Sequence, residues 1–230
     1  MSESSQQLPL DFKHNNEKTF AEFIVGNNTS LLKSLQTFTQ SSETILYLWG
    51  EIGSGKSHIL SAFTKYCGEN NKSAVVLTPN DLAQRKNISL IDMFDYICVD
   101  DVEKTTADSL LEESLFHWIN EIKQHKKKII LASHISNNSD KWQLPDLRSR
   151  LQSGRTHQIK ALNRTKVIEV FIKQAQQKGI KIDSRVSQFL QNNCPMNMHY
   201  FSGLLAKLDQ ITLIEKKQVT IPLIKKIIQT

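Results

Sequence analysis

Apolar and polar positions form two alternating patterns between residues 20 and 162. Four short apolar runs have the length of buried strands, and the stretches between them space apolar residues three or four apart, as in helices that pack on one side. The runs are ILYLW (45–49), AVVLT (74–78), YICVD (96–100) and KIILAS (128–133). Strands that alternate with helices are joined by crossovers, so this region is predicted to be an α/β core whose mainly parallel sheet is covered on both faces.

The pattern becomes purely helical after about Asn163. Three or four segments with helical spacing follow, with no convincing strand between them. Gly179 is predicted to end the first helix, Asp183 to cap the second, and Thr220 to cap the last. The predicted organisation has three parts: a flexible tail (1–19), the α/β core (20–162) and a small all-helical domain (163–230).

Composition and charge indicate the cellular compartment of the protein but do not identify its partner. The 230 residues carry a net charge of +6 with a pI of about 9.1, which permits contact with nucleic acid or an acidic partner but does not require it. The three cysteines are odd in number and far apart, which argues against a disulfide framework or a zinc site and fits a reducing compartment. No apolar run approaches the roughly 20 residues that span a bilayer, and no signal peptide is visible. A cytoplasmic location without membrane contact is predicted.

The segment GEIGSGKS (50–57) follows the first predicted strand and leads into a helix. It fits G-x-x-x-x-G-K-[ST], a pattern whose glycines let backbone N–H groups point at phosphate oxygens. Lys56 is expected to reach the β- and γ-phosphates, Ser57 to ligate Mg²⁺, and the helix N-terminus to favour the anion. The predicted ligand is ADP or ATP with Mg²⁺. The residues predicted to bind it here are Gly50, Gly53, Ser54, Gly55, Lys56, Ser57 and His58.

Two further strand ends carry polar groups that suit nucleotide hydrolysis. In YICVDD, Asp100 is predicted to hold Mg²⁺, and Asp101 to orient or deprotonate the attacking water. The strand KIILAS ends in Ser133, a candidate sensor of the γ-phosphate.

The segment LPDLRSRLQSG and the residue after it offer three arginines: Arg148, Arg150 and Arg155. An arginine that reaches the γ-phosphate on a neighbouring molecule can accelerate hydrolysis by roughly 10³–10⁵-fold. The same residues could equally be surface arginines on a short helix. The residue types leave both interpretations open.

An apolar island, QLPLDF (7–12), interrupts the polar tail. Leu8, Leu10 and Phe12 would alternate outward from an extended chain, and Pro9 favours that extension. The island either packs on the protein's own core or binds a partner.

These motifs, in this order and followed by helices, resemble an AAA+ module with its helical lid, and more closely the nucleotide-binding core of the bacterial replication initiator DnaA. The resemblance covers roughly residues 18–230. It rests on FIVGNNTSLL, the phosphate loop, ICVDDVE, LFHWINEIKQHKKKIILAS, LPDLRSRL and VTIPLIKKII. It implies that residues 23–28 lie against the adenine and that Arg150, the second arginine of RSR, acts in trans on a neighbour's nucleotide. At the lid position where relatives carry a phosphate-contacting arginine, this chain has His199.

The layout is similar to that of the regulatory inactivators of DnaA (the Hda group), which lack the DNA-binding domain. We therefore expect that this chain does not read an origin. In that group a motif of the form Q-L-x-L-x-[L/F] docks on the DNA polymerase sliding clamp, and Gln7, Leu8, Leu10 and Phe12 match it. The resemblance implies a negative regulator of initiation that rides on a clamp loaded on DNA. Through Arg150 it would stimulate hydrolysis of the ATP held by DnaA. Its partners would be DnaA, the clamp, DNA through the clamp, and possible copies of itself.

Three questions stay open at the level of sequence. The Lys56 and Asp100–Asp101 groups are intact for hydrolysis, whereas a histidine at 199 is a poor phosphate ligand because it is mostly neutral near pH 7. Turnover of ATP by this chain itself is therefore undecided. An ATPase of the helicase-loader (DnaC-like) type would share the same motifs but leave QLPLDF idle. A DNA-binding module is the third alternative, suggested by the pI.

Overall fold

A computed structural model describes residues 19–20, 23, 26, 28–215 and 219–229. Its centre is a parallel sheet of five strands in the order β2-β3-β4-β1-β5. The strands are β1 (Ile45–Trp49), β2 (Ala74–Leu77), β3 (Tyr96–Val99), β4 (Lys128–Ser133) and β5 (Arg155–Gln158). Because all five strands run the same way, the segments that follow them meet at one edge of the sheet.

The helices cover both faces of this sheet and then form a separate bundle. Six lie among the strands: α1 (Thr29–Gln40), α2 (Lys56–Glu69), α3 (Pro79–Leu82), α4 (Leu90–Met93), α5 (Ser109–Gln124) and α6 (Pro145–Ser153). Two 3₁₀ segments, Arg85–Ser89 and Val102–Ala107, accompany them. The bundle consists of α7 (Arg164–Gln177), α8 (Ser184–Asn193), α9 (Met198–Glu215) and α10 (Ile221–Gln229).

Each central strand divides its side chains between two apolar cores. In β1, Ile45 and Tyr47 belong to the core beneath α5, while Leu46 and Leu48 belong to the core beneath α1 and α2. This period of two explains why the strand reads as a continuous apolar run: both of its faces are buried. The predicted α/β class with a mainly parallel sheet is confirmed.

The helical bundle has its own core, centred on Phe171 and Phe201, whose ring centroids lie 4.9 Å apart. The predicted helix ends are found there. Asp183 accepts a hydrogen bond from the backbone N–H of Val186 at 2.7 Å, and Gly179 has a φ of +75° after α7 ends. The predicted helical lid is therefore present.

Three features of the fold differ from the sequence expectation, one of which is that the strand predicted over 96–100 ends at Val99. β5 was not predicted, because its sequence RTHQ is polar and its strand lies at the edge of the sheet. The predicted second strand ends one residue early, since Thr78 is instead the N-cap residue of α3, whose Asp81 side chain accepts from the Thr78 backbone N–H at 2.7 Å.

Two further observations concern the cysteines and the helices. Cys67, Cys98 and Cys194 are free thiols, and all three are buried. Across the described ranges, no helix combines the length and the apolar character needed to cross a membrane.

Candidate nucleotide-binding site

The loop between β1 and α2 has a shape that only glycine allows at three positions. Gly53 and Gly55 have φ angles of +80° and +101°, in the left-handed region that disfavours other residues. A Cβ on Gly50 would lie 2.2 Å from the carbonyl oxygen of Ile159. A Cβ on Gly53 would lie 2.9 Å from the backbone nitrogen of His199. The loop is therefore packed against β5 on one side and against the lid on the other.

Lys56 begins α2 and turns its ammonium back over this loop. Its Nζ donates to the carbonyls of Gly50 (2.7 Å) and Glu51 (2.9 Å), and the residue is only 7% exposed. Burial lowers the pKa of Lys56, and the carboxylates of Glu103, Asp100 and Asp101 act in the opposite direction. A phosphate in the loop would add a further anion beside this buried cation.

Ser54 supports the same ligand class. Its Oγ is buried, and it has no hydrogen-bond partner among the residues that the structure describes. Buried hydroxyls are normally hydrogen-bonded, so this one fits a loop that receives an acceptor oxygen from a ligand. The orphaned hydroxyl and the three glycines together fit a bound phosphate group.

A cavity of about 650 Å³ opens above the loop, between the sheet edge and the lid. One part of its lining is apolar: Phe23, Ile52, Leu162, Val170 and Met198. The other part carries charged or ionisable groups: Lys56, His58, Asp101, Glu103, Lys104, His134 and His199. The helices α2 and α9 both begin at this cavity, at Lys56 and Met198, so two positive helix ends face it. The apolar part would suit the flat nucleobase of a nucleotide, and the charged part would suit its anionic phosphate chain.

The two aspartates after β3 are differently placed. Asp101 lines the cavity with a φ of +52°, and its Oδ2 accepts a hydrogen bond from Lys104 Nζ at 2.7 Å. Asp100 is half-buried and is not part of the lining; its Oδ1 accepts from the backbone N–H of Asp101 at 3.0 Å. The carboxylate predicted to orient water is thus paired with a lysine in this conformation.

The structure does not bring Ser133 to the cavity. Ser133 is fully buried in the sheet opposite Trp49, and its Oγ accepts from the backbone N–H of Ile135 at 3.1 Å. Its neighbour His134 lines the cavity instead, because successive residues at a strand end point to opposite sides. The sensor role predicted for Ser133 finds no geometric support in this arrangement.

Glu103 and His134 form a pair that the sequence interpretation missed. His134 Nδ1 lies 2.7 Å from Glu103 Oε1, and the His134 backbone N–H donates to Glu103 Oε2 at 3.2 Å. Glu103 is 8% exposed. His134 directly follows one predicted strand and Glu103 lies three residues after another, and these positions were the available signal.

The remaining predicted nucleotide contacts lie at or near the cavity. Gly53, Ser54, Gly55, Lys56, Ser57, His58 and His199 all line it. Ser57 and His199 are exposed within the site, and His58 Nε2 lies 3.1 Å from the carbonyl oxygen of Thr19. Gly50 is not in the lining, but its carbonyl holds Lys56.

The three arginines of the α6 segment have different surroundings. Arg148 donates to Asp140 Oδ1 at 2.7 Å, and Arg155 pairs with Glu43 and donates to Thr37 Oγ1 at 2.8 Å. Arg150 is half-buried on α6, away from the cavity lining, and no described carboxylate forms an ion pair with it. Gln7, Leu8, Leu10 and Phe12 lie outside the described residues.

Comparison with known proteins gives similar sequences and similar folds. An uncharacterised protein of Haemophilus influenzae is 29% identical over 228 residues, which are 97% of this chain and 99% of that protein. Domain III of the replication initiation protein DnaA from Thermotoga maritima superposes with a TM-score of 0.78 at 20% identity, over 90% of this chain and 94% of that chain. AMPPCP-bound DnaA from Aquifex aeolicus superposes with a TM-score of 0.69 at 20% identity, over 86% of this chain and 66% of that chain.

Two family models match consecutive parts of the sequence. The model of the bacterial DnaA ATPase domain matches residues 14–160, and the model of the Hda lid domain matches residues 164–228. The first match alone covers more than half of the chain. The chain therefore belongs to the family of bacterial DnaA ATPase domains, and its helical lid is of the Hda type.

Proposed function

We propose that this protein is a nucleotide-binding negative regulator of replication initiation, which acts on DnaA. It binds ADP or ATP in the cavity above the phosphate loop and supplies Arg150 to the nucleotide held by DnaA. It is brought to DNA through the sliding clamp, which QLPLDF binds. Hydrolysis of the DnaA-bound ATP would then leave DnaA in its inactive ADP form.

The observation that carries this proposal is the environment of Arg150. Of the three arginines in the segment, Arg148 and Arg155 already have intramolecular partners, while Arg150 has no ion pair among the described residues. It also lies outside the lining of the protein's own cavity. A guanidinium on a helix, placed away from its own nucleotide, suits an arginine that completes a neighbour's site.

The protein's own site favours binding over rapid turnover. The Asp101 carboxylate is paired with Lys104, and the Glu103 carboxylate is held by His134. Neither group is therefore poised to orient a water molecule in this conformation. Ser57 and Asp100 are the residues that would hold Mg²⁺. The described residues contain no group of three His, Cys, Asp or Glu side chains placed to bind a metal, so the ion would depend on phosphate and water ligands.

Clamp binding rests on the sequence of the tail alone. Leu8, Leu10 and Phe12 could each gain about 1.5–3 kcal/mol on burial, before the cost of ordering the segment. The net affinity for the clamp would be weak to moderate, and the other contacts of the complex would raise it.

The test measures hydrolysis of radiolabelled ATP bound beforehand to the cognate DnaA, with the clamp loaded on DNA. Wild-type protein should accelerate hydrolysis, and Arg150→Ala should remove that acceleration. Arg148→Ala is the matched control, because its guanidinium is engaged by Asp140. Phe12→Ala should lose the acceleration when clamp is limiting and recover it at high protein concentration.

The opposite result would be steady ATP turnover by this chain alone, with no effect on the nucleotide held by DnaA. That outcome would contradict the regulatory proposal and favour an ATPase of the helicase-loader type. Equal losses with Arg148→Ala and Arg150→Ala would remove the role given to Arg150.

A further inference from the structure

The net positive charge of this protein is concentrated in its lid. Residues 163–230 carry 11 Lys and Arg against 4 Asp and Glu, a net charge of +7. Residues 1–162 carry 18 Lys and Arg against 19 Asp and Glu, a net charge of −1, which together give the total of +6. Such an asymmetry between two parts of a chain points to an anionic partner for the basic part.

Most acidic groups of the lid are already engaged within it. Glu169 pairs with Lys166 at 2.6 Å, and Asp209 pairs with Lys178. Asp183 caps α8. Among the other cations of the lid, Arg185 and Lys225 form no ion pair with these carboxylates.

A stripe on α8, together with one residue of α10, forms what we call the α8–α10 face. Arg185, Gln188, Phe189 and Asn192 are spaced three and four apart, so they lie on one side of α8. Lys225 of α10 places its Nζ 5.6 Å from the centre of the Phe189 ring, which joins the two helices across this face. Arg185, Gln188, Asn192 and Lys225 are exposed, and Phe189 is partly buried against the lid core.

The chemistry of this face is that of a phosphate-binding surface. Neither α8 nor α10 contains an acidic residue, and no described carboxylate forms an ion pair with Arg185 or Lys225. Guanidinium, ammonium and side-chain amide groups are the donors that proteins use most on phosphate oxygens of nucleic acids. The only aromatic ring of the stripe lies under Lys225, so it is not available to stack on the bases of a single strand.

We propose that the α8–α10 face binds the phosphate backbone of duplex DNA directly, without reading its sequence. The contact is distinct from the nucleotide cavity and from the tail. It does not depend on Arg150 or on QLPLDF, so it can be tested apart from the regulatory function proposed above.

The test is the fluorescence anisotropy of a short labelled duplex of arbitrary sequence, titrated with the whole protein between about 50 and 200 mM salt. Arg185→Gln with Lys225→Gln is the test variant. Lys123→Gln with Lys141→Gln is the matched control, because it removes the same charge from exposed positions outside the lid. Arg185→Lys with Lys225→Arg keeps the charge and should retain binding.

The test variant should bind roughly tenfold more weakly near 0.1 M salt, and its plot of log K against log salt should be less steep by about 1.8, since each phosphate contact contributes about 0.9. The control should stay within about twofold of wild type. Thermal melts of all variants would separate a loss of contact from a loss of folding.

Three outcomes would overturn the proposal. The first is the absence of binding even near 50 mM salt. The second is an equal loss in the control variant, which would mean that total charge alone determines binding. The third is unchanged DNA binding together with loss of clamp or DnaA binding in the test variant, which would assign the face to an acidic protein.

Discussion

His134 Nδ1 lies 2.7 Å from Glu103 Oε1, and the pair forms the wall of the cavity beside Lys56. The Glu103 carboxylate is almost fully buried, and it is the foremost of the carboxylates that act on the pKa of Lys56. A negative charge in this position partly neutralises the ammonium that would receive a phosphate. The Glu103 carboxylate therefore weakens anion binding at this site, whereas the Lys56 ammonium strengthens it.

Replacing Glu103 by Gln should strengthen nucleotide binding. The amide keeps the size of the side chain and can still accept from His134, but it removes a charge near the phosphates. Two unit charges about 10 Å apart repel by about 1.7 kcal/mol at an effective dielectric near 20, so the expected gain in affinity is at least on the order of tenfold, and it should be larger for a triphosphate than for a diphosphate. Titration with ADP and with a non-hydrolysable ATP analogue measures both. Glu51→Gln, at an exposed loop residue, is the control, and unchanged affinity in Glu103→Gln would contradict the assignment.

Gly53→Ala should weaken the protein at the junction of loop and lid. Its φ of +80° and the His199 backbone nitrogen, 2.9 Å from the added Cβ, leave no room without a shift of α9. We expect a loss of about 1–3 kcal/mol in the free energy of unfolding, together with weaker nucleotide binding.

Gly203→Ala is the matched substitution with the opposite expectation. Gly203 lies within α9, and nothing is found within 4 Å of an added Cβ. Alanine should raise the free energy of unfolding by about 0.5–1 kcal/mol, because glycine loses more backbone entropy in a helix. Urea denaturation of both variants gives the comparison, and destabilisation by both would argue against a local clash at Gly53.

Arg155→Ala should destabilise the fold more than Arg150→Ala. Arg155 ties β5 to the start of the core through Glu43, Thr37 and the Ser34 carbonyl. Its loss removes this ion pair and two hydrogen bonds, all of them partly exposed to solvent, at a cost of about 1–2 kcal/mol. Arg150→Ala should change the free energy of unfolding by less than about 0.5 kcal/mol. Equal effects in denaturant titrations would mean that Arg150 has a structural role.

His157 should make the protein less stable in mild acid. Burial lowers its pKa from the ordinary 6.5, so the unfolded chain takes up a proton before the folded chain does. Stability is therefore lost as the pH falls through 6.5 toward the folded pKa. His157→Gln should lose less stability between about pH 7.5 and pH 5.5, measured by urea titration at each pH. The same substitution at exposed His117 is the control for removal of an imidazole. A variant that loses as much stability as wild type would exclude His157 as the source.

The parts of the fold that could be predicted are those whose local pattern and final burial agree. Ile45–Trp49 is apolar on both faces and lies inside the sheet, between β4 and β5, so its sequence alone indicated a buried strand. Asp183 begins α8 and Gly179 ends α7 through their own conformation and contacts with nearby backbone. Both helix ends could therefore be predicted from the local sequence.

The parts that could not be predicted depend on distant contacts. Arg155–Gln158 is a strand because it pairs with β1 and because Arg155 donates a hydrogen bond to α1. Its sequence has no alternation of apolar residues that would predict a strand. The short helices between β2 and β3 are held partly by Trp118, whose Nε1 donates to the Leu82 carbonyl at 3.1 Å. At the site, the sequence does not reveal whether Ser133 or His134 lines the cavity. The register of β4 in the sheet determines which of the two side chains faces it.

The close approach of Gly50 to Ile159 links the phosphate loop to the part of the chain that carries Arg150. The missing Cβ lets Ile159, the residue after β5, rest directly on the first residue of the phosphate loop, and only Gly154 separates β5 from the helix that carries Arg150. The chain from Ile159 back to Arg150 thus consists of one short strand, one glycine and the last turn of a helix. We expect an added side chain at residue 50 to displace the Ile159 carbonyl and, with it, the nine residues of strand and helix that lead back to Arg150.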